Sequence, residues 1–114
     1  MEIVRERISL DSLRAMAEQR FGDLVKAVVD TEREVMAVDA GMHADEEAGL
    51  LEDGSEQADL WGINLYPGDY GNPDWLEFDS MINLRPGQGN RTRSVDDPAI
   101  RSRIAQIVGK LVAS

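Results

Sequence analysis

The chain has no cysteine and a single histidine, His43. The first absence excludes a disulfide framework, a thiol nucleophile and a zinc–thiolate site. The second excludes any site built on two imidazoles. Aromatic residues make up 5% of the 114 residues, so Trp61, Trp75 and Phe78 are expected to carry much of the core. No run approaches the roughly 20 apolar residues of a membrane span. The N-terminus also joins no basic start to an apolar stretch, and a soluble cytoplasmic protein is the expectation. Lysine and arginine are missing altogether between Glu34 and Leu84, a stretch crowded with acids. Together with a net charge of −10, this disfavours general binding to nucleic acid or to an anionic membrane. There is no Gly-Lys-Ser/Thr loop, no nucleophile elbow and no dinucleotide fingerprint. No catalytic residue, metal ligand or cofactor is therefore assigned.

What is present is a near-repetition. Ile63-Asn64-Leu65-Tyr66-Pro67-Gly68 is answered by Ile82-Asn83-Leu84-Arg85-Pro86-Gly87. Trp61, Ile63 and Leu65 alternate with Gly62, Asn64 and Tyr66, while Leu76, Phe78, Ile82 and Leu84 form a second alternating set. This periodicity predicts two strands, each buried on one face and wetter on the other. Pro67 to Asp74 is turn chemistry suited to a long hairpin loop.

Around this pair the chain reads in order. Glu2 to Arg7 suits a short edge strand. Ser9 is an N-cap for a helix whose apolar face is Leu10, Leu13, Met16, Ala17 and Phe21, with Gly22 as its stop. Leu24–Asp30 and Glu34–Ala40 read as a hairpin. Met42 to Asp53 suits a short helix, with Gly49 costing about 1 kcal/mol inside it; a strand ending at Asp53-Gly54-Ser55 is the alternative. Asp97 and Pro98 open a last helix, whose face is Ile100, Ile104, Ile107, Val108 and Leu111. The expected fold is a single α+β domain over residues 1–114. It is a two-layer sandwich: a four-stranded, mainly antiparallel sheet, two amphipathic helices on one face, and a short helix between the hairpins.

Several segments resemble a family of small bacterial proteins that is a domain of unknown function. They are His43-Ala44-Asp45, Gly54-Ser55-Glu56-Gln57 running into Asp59-Leu60-Trp61-Gly62-Ile63-Asn64-Leu65-Tyr66-Pro67, and Ile82-Asn83-Leu84-Arg85-Pro86 with Gln88-Gly89-Asn90-Arg91. The resemblance extends over most of the chain. It implies a small single-domain protein and assigns no activity and no functional residue.

The residues themselves offer two functional classes. In Arg85 to Arg93, three arginines and two glycines follow one another without an acid, in a chain that is otherwise strongly negative. Glycines let backbone N–H groups converge on an anion, and guanidinium forks match carboxylate or phosphate. Arg85, Gln88, Asn90, Arg91 and Arg93 are accordingly the candidate residues of a non-enzymatic binding module. Its expected partner is a small anion or an acidic protein surface, with self-association through the acidic middle as a further route. The alternative is a small metal-assisted hydrolase centred on His43. On a helix His43 and Glu47 lie one turn apart, and on a strand His43, Asp45 and Glu47 share a face. Asp69, Asn72, Asp74 and Glu77 supply oxygen ligands in a loop, but their spacing does not match a calcium-binding EF-hand.

Overall fold

The computed structural model describes all residues, 1–114. Its strands are β1 (Glu2–Val4), β2 (Ile8–Ser9), β3 (Val25–Asp30), β4 (Val35–Val38), β5 (Leu60–Leu65), β6 (Leu76–Glu77) and β7 (Val112–Ala113). Its α-helices are α1 (Leu10–Arg20), α2 (His43–Glu52) and α3 (Pro98–Leu111). The main sheet has five strands in the order β1-β4-β3-β5-β6, and every neighbouring pair is antiparallel. β2 and β7 form a separate two-stranded parallel ribbon.

The helix ends follow the signals in the sequence. The Ser9 hydroxyl accepts from the Ser12 N–H at 3.1 Å, and Asp97 accepts from the Ala99 N–H at 2.9 Å, just ahead of Pro98. α1 stops at Gly22, which takes a φ of 96° and returns its N–H to the Ala17 carbonyl. Residues 43–52 are helical, with Gly54 at a φ of 107° just beyond.

The sheet is buried on both faces, one more layer than alternation predicts. Ala27, Val29, Met36, Val38, Trp61, Ile63 and Leu65 share one apolar cluster with Leu13 and Ala17 of α1 and Ile104, Ile107, Val108 and Leu111 of α3. Val28, Val35, Ala37 and Leu60, on the opposite face, share a second cluster with Leu50 of α2. The two-layer expectation fails because β4 is apolar at odd and even positions alike, and β3 adds Val28, between Lys26 and Asp30, on the second face. A central strand with two apolar faces needs a cover on each side, and α2 supplies the second.

The second copy of the repeat is not a strand. Pairing of β6 with β5 extends only over Asn64↔Glu77 and Leu65↔Leu76, and Met81–Asn83 forms a turn of 3-10 helix. The backbone of Gly62 is instead met by a side chain: its N–H donates to Asn83 Oδ1 at 2.8 Å and its carbonyl accepts from Asn83 Nδ2 at 2.9 Å. Arg85 continues this cover by donating to the Leu60 carbonyl at 2.6 Å. The open edge of β5 is thus satisfied by side chains from the segment that alternation assigns to a strand.

Candidate functional site

The face of the sheet beneath α2 is apolar in its middle and polar at its ends. Lys26 of β3 lies directly opposite Asn64 of β5 in the ladder, so both side chains rise on the same face as Val28 and Gly62. Here α2 begins, at His43. Met42, at its N-cap, has no side-chain cap bond, and the helix's own bonding starts with the Asp45 and Glu46 N–H groups on the Met42 carbonyl, at 3.2 and 3.5 Å. The N–H groups of His43 and Ala44 therefore lie ahead of the first intrahelical bond, at the positive end of the helix.

A cleft of about 260 Å³ opens at this point, lined by Lys26, His43, Asn64, Asp79, Ser80 and Arg93 together with Met42, Ala44, Met81 and Ile82. His43 is 7% exposed, and its Nε2 lies 2.8 Å from the Ile63 carbonyl oxygen. A carbonyl only accepts, so this nitrogen carries the hydrogen. Burial holds the imidazole pKa below its ordinary value, and the nearby Lys26 ammonium lowers it further; the Ile63 carbonyl and Asp79 pull the other way. The ring is therefore neutral at neutral pH.

Asn64, also 7% exposed, donates from Nδ2 to Glu77 Oε1 at 2.8 Å and to the Asp79 carbonyl at 3.3 Å. Its Oδ1 is buried without a partner. Asp79 in turn receives Arg93 Nε at 2.8 Å, which seats that guanidinium at the mouth of the cleft. Lys26 makes no ion pair, and its ammonium lies 5.4 Å from the centre of the Phe21 ring. Glu46, on the next turn of α2, is completely buried; its Oε2 accepts the Ala40 N–H at 3.1 Å. Burial lifts its pKa to about 9, so it is a neutral acid and adds no negative charge to the helix start.

Two larger hollows lie elsewhere. One, of about 380 Å³, runs between the end of α1 and Pro67–Asp69; the other, of about 480 Å³, is a mostly apolar space between Tyr70–Phe78 and α3. Neither contains a buried polar atom that lacks a partner, and neither gathers groups of complementary chemistry as the His43 cleft does.

The five residues of the arginine segment are not gathered into one site. Arg85 spends its guanidinium on the Gln57 and Leu60 carbonyls, both at 2.6 Å, and lies 4.2 Å above the centre of the Trp61 ring. Gln88 donates to the Ala58 carbonyl at 2.9 Å. Asn90 is buried; its Nδ2 donates to the carbonyls of Asn83, Thr92 and Ser94, and its Oδ1 accepts from the Asp96 N–H. Arg91 is exposed: its backbone N–H donates to Asp96, while its guanidinium has no partner. Arg93 alone reaches the cleft.

The structure brings together no group of three or more His, Asp or Glu side chains able to hold a metal ion. His43 instead joins residues the sequence did not single out: Lys26, Asn64, Asp79 and Ser80. One signal for Lys26 was present, since it is the only base in the apolar run Val25–Val29. The other three depend on long-range pairing.

The model of a family of proteins of unknown function, DUF5674, matches residues 2–111. The chain belongs to that family. DUF5674 carries no assigned activity, and its match covers both the His43 cleft and the arginine segment. No curated protein and no solved structure matches this DUF5674 chain. No helix is long and apolar enough to cross a membrane.

Proposed function

We propose that this protein is a small non-enzymatic binding module that takes a small anionic ligand, a carboxylate or a phosphate, in the His43 cleft. The observation that carries this is a convergence: the uncapped start of α2, the unpaired Lys26 and the guanidinium of Arg93 line one cleft. Helix N-termini attract anions because their first N–H groups lack acceptors and lie at the positive end of the macrodipole, a contribution of about 0.3–1 kcal/mol. Lys26 adds a full charge, Glu46 on the next turn of α2 is neutral, and the Asp79 carboxylate that lines the same cleft is taken by Arg93 and not by Lys26. Long-range acidity opposes an anion, but it is screened over about 8 Å at physiological salt. Within the cleft Asp79 is paired with Arg93, so the unpaired charge of Lys26 and the helix start are the local features that favour an anion.

Within the arginine segment, Arg93 is the ligand-facing residue of this proposal. Arg85, Gln88 and Asn90 hold the surrounding chain in place, and Arg91 extends positive charge into solvent. Inorganic phosphate or acetate, titrated at millimolar concentration, is expected to shift the amide resonances of His43 and Ala44. Replacing Lys26 and Arg93 together by alanine should abolish those shifts. An absence of shifts, or shifts that persist in the double variant, would remove the cleft as the binding site.

A further inference from the structure

The His43 cleft inverts the usual placing of polar and apolar groups. His43, Asn64 and Ser80 in its lining are buried, whereas Met42 and Met81 in the same lining are 57% and 62% exposed. These are the two most exposed large apolar side chains in the protein. Apolar side chains scattered singly over a surface are ordinary, but two that meet at one cleft mark a contact surface. They reach it from separate segments. Met42 is the N-cap of α2, and its carbonyl takes the Asp45 N–H at 3.2 Å. Met81 follows Ser80, whose hydroxyl accepts the Ile82 N–H at 3.3 Å and whose N–H donates to the Arg93 carbonyl at 3.0 Å. Each methionine is thereby tied to a part of the proposed anion site. Met42 adjoins the N–H groups that open α2, and Met81 is fixed next to the backbone of Arg93.

We infer that the ligand of this cleft is amphipathic: a small carboxylate with a short apolar chain, its charge at Lys26 and Arg93 and its chain against Met42 and Met81. This rests on the anion site proposed above and names its ligand class. An inorganic ion leaves both methionine side chains in water. A chain joined to the anion covers them, which is favourable in proportion to the apolar area removed from water. Charge balance favours a monoanion, because Lys26 is the one unpaired cation of the cleft and Arg93 is shared with Asp79. Size limits the chain. At about 30 Å³ for each water-sized group, a cleft of about 260 Å³ holds on the order of nine non-hydrogen atoms. A carboxylate takes three of them and leaves roughly six for the chain. Methionine is unbranched and flexible, so the pair adapts to an alkyl or an aryl group. The hollow of about 480 Å³ beside α3 is more apolar, but no charged side chain lines it to hold a carboxylate.

Acetate and hexanoate carry the same charged head and differ by four methylene groups. A fully buried methylene is worth about fourfold in affinity, so in a partly open cleft hexanoate should bind about 10- to 100-fold more tightly than acetate. Both should shift the amides of His43 and Ala44, and hexanoate should also shift the methyl resonances of Met42 and Met81. Hexan-1-ol, which lacks the charge, should bind at least about tenfold more weakly than hexanoate. Replacing both methionines, Met42→Gln with Met81→Gln, keeps side-chain length at exposed positions. It should bring hexanoate down to the affinity of acetate and leave acetate unchanged. If that variant does not fold, the comparison of the two acids on the wild type decides alone. Acetate binding at His43 and Ala44 with no gain for hexanoate would overturn the amphipathic ligand and leave the anion site standing. A gain that survives in the double variant, or hexanoate shifts at Tyr70, Trp75 and Phe78 in place of the methionines, would do the same. Hexan-1-ol binding as tightly as hexanoate, or no shift at His43 and Ala44 with either acid, would overturn the ligand class and the anion site together.

Discussion

The Asn83 carboxamide hydrogen-bonds both the N–H and the carbonyl of Gly62, replacing a neighbouring strand with a single side chain. Asn83 also donates to the Arg93 carbonyl at 3.0 Å, so the residue that seals the edge of β5 also fixes the backbone of an arginine at the cleft. Nearby, Ser80 packs so closely that a Cβ on Gly62 would meet its Cβ and Oγ at 2.5 Å. Glycine is required there by space, with no unusual φ involved.

Asn83→Ala should therefore destabilise the fold by about 2–3 kcal/mol, because it leaves an N–H and a carbonyl of the β5 edge without partners. Gly62→Ala should cost about 1–3 kcal/mol through overpacking. Adding Ser80→Gly should recover part of that loss. Urea unfolding of Asn83→Ala, Gly62→Ala, Ser80→Gly and the Gly62–Ser80 double variant checks this, and additive effects at Gly62 and Ser80 would refute the close contact.

Trp61 is 2% exposed and shares its cluster with Ile63, Leu65, Ile104 and Val108. Trp61→Ala should cost about 3–5 kcal/mol, as truncation of a buried aromatic does. A loss below about 1 kcal/mol in denaturant unfolding would contradict the burial of that face.

The fate of the Ile-Asn-Leu repeat shows what the sequence can reveal and what it cannot. The local signals were reliable: Asp97-Pro98 and the apolar spacing from Ile100 to Leu111 define α3, and Ser9 and Gly22 bound α1. Those features are settled within one or two turns of chain. Asn64 and Asn83 stand in the same tripeptide but do different work, one within a ladder and one as a substitute for a ladder. The difference lies in their distant partners, which periodicity does not encode. The site divides in the same way. Arg93 was visible because its segment concentrates positive charge in an acidic chain. The role of Asn64 depends on Lys26 facing it across the ladder and on α2 starting above both. The second apolar layer was present in the Val35-Met36-Ala37-Val38 run, which is too uniformly apolar for a strand with one wet face.

Glu46 makes stability depend on pH in a direction opposite to that of an ordinary salt-bridged acid. Its folded pKa, about 9, lies above the unfolded value near 4.5. The folded state therefore holds the extra proton between these limits, and stability falls as the pH rises through that window. Between pH 4.5 and 7 this amounts to a loss on the order of 3 kcal/mol from this residue. Glu46→Gln keeps an oxygen for the Ala40 N–H and removes the titration. Its melting temperature should vary less with pH than that of the wild type, and the variant should gain most over the wild type near pH 8. Parallel pH profiles for the two proteins would show that Glu46 does not carry this proton.

The last prediction separates the arginines by task. Arg85 donates to two carbonyls from one planar group while covering the Trp61 ring, and its Nε is buried without a partner. Lysine offers a point charge and cannot span both acceptors with the same fork. Arg85→Lys should lose about 1–3 kcal/mol in thermal or denaturant unfolding, while the amide shifts that phosphate induces at His43 and Ala44 stay in place wherever the variant is folded. Arg91→Ala should change stability by less than about 0.5 kcal/mol, since its guanidinium touches nothing. Arg93→Ala should leave stability close to that of the wild type, because an exposed pair such as Arg93–Asp79 contributes at most about 1 kcal/mol. It should instead weaken the phosphate response. If Arg85→Lys leaves the fold intact and removes phosphate binding, the guanidinium of Arg85 belongs to the ligand site and Arg93 does not define it.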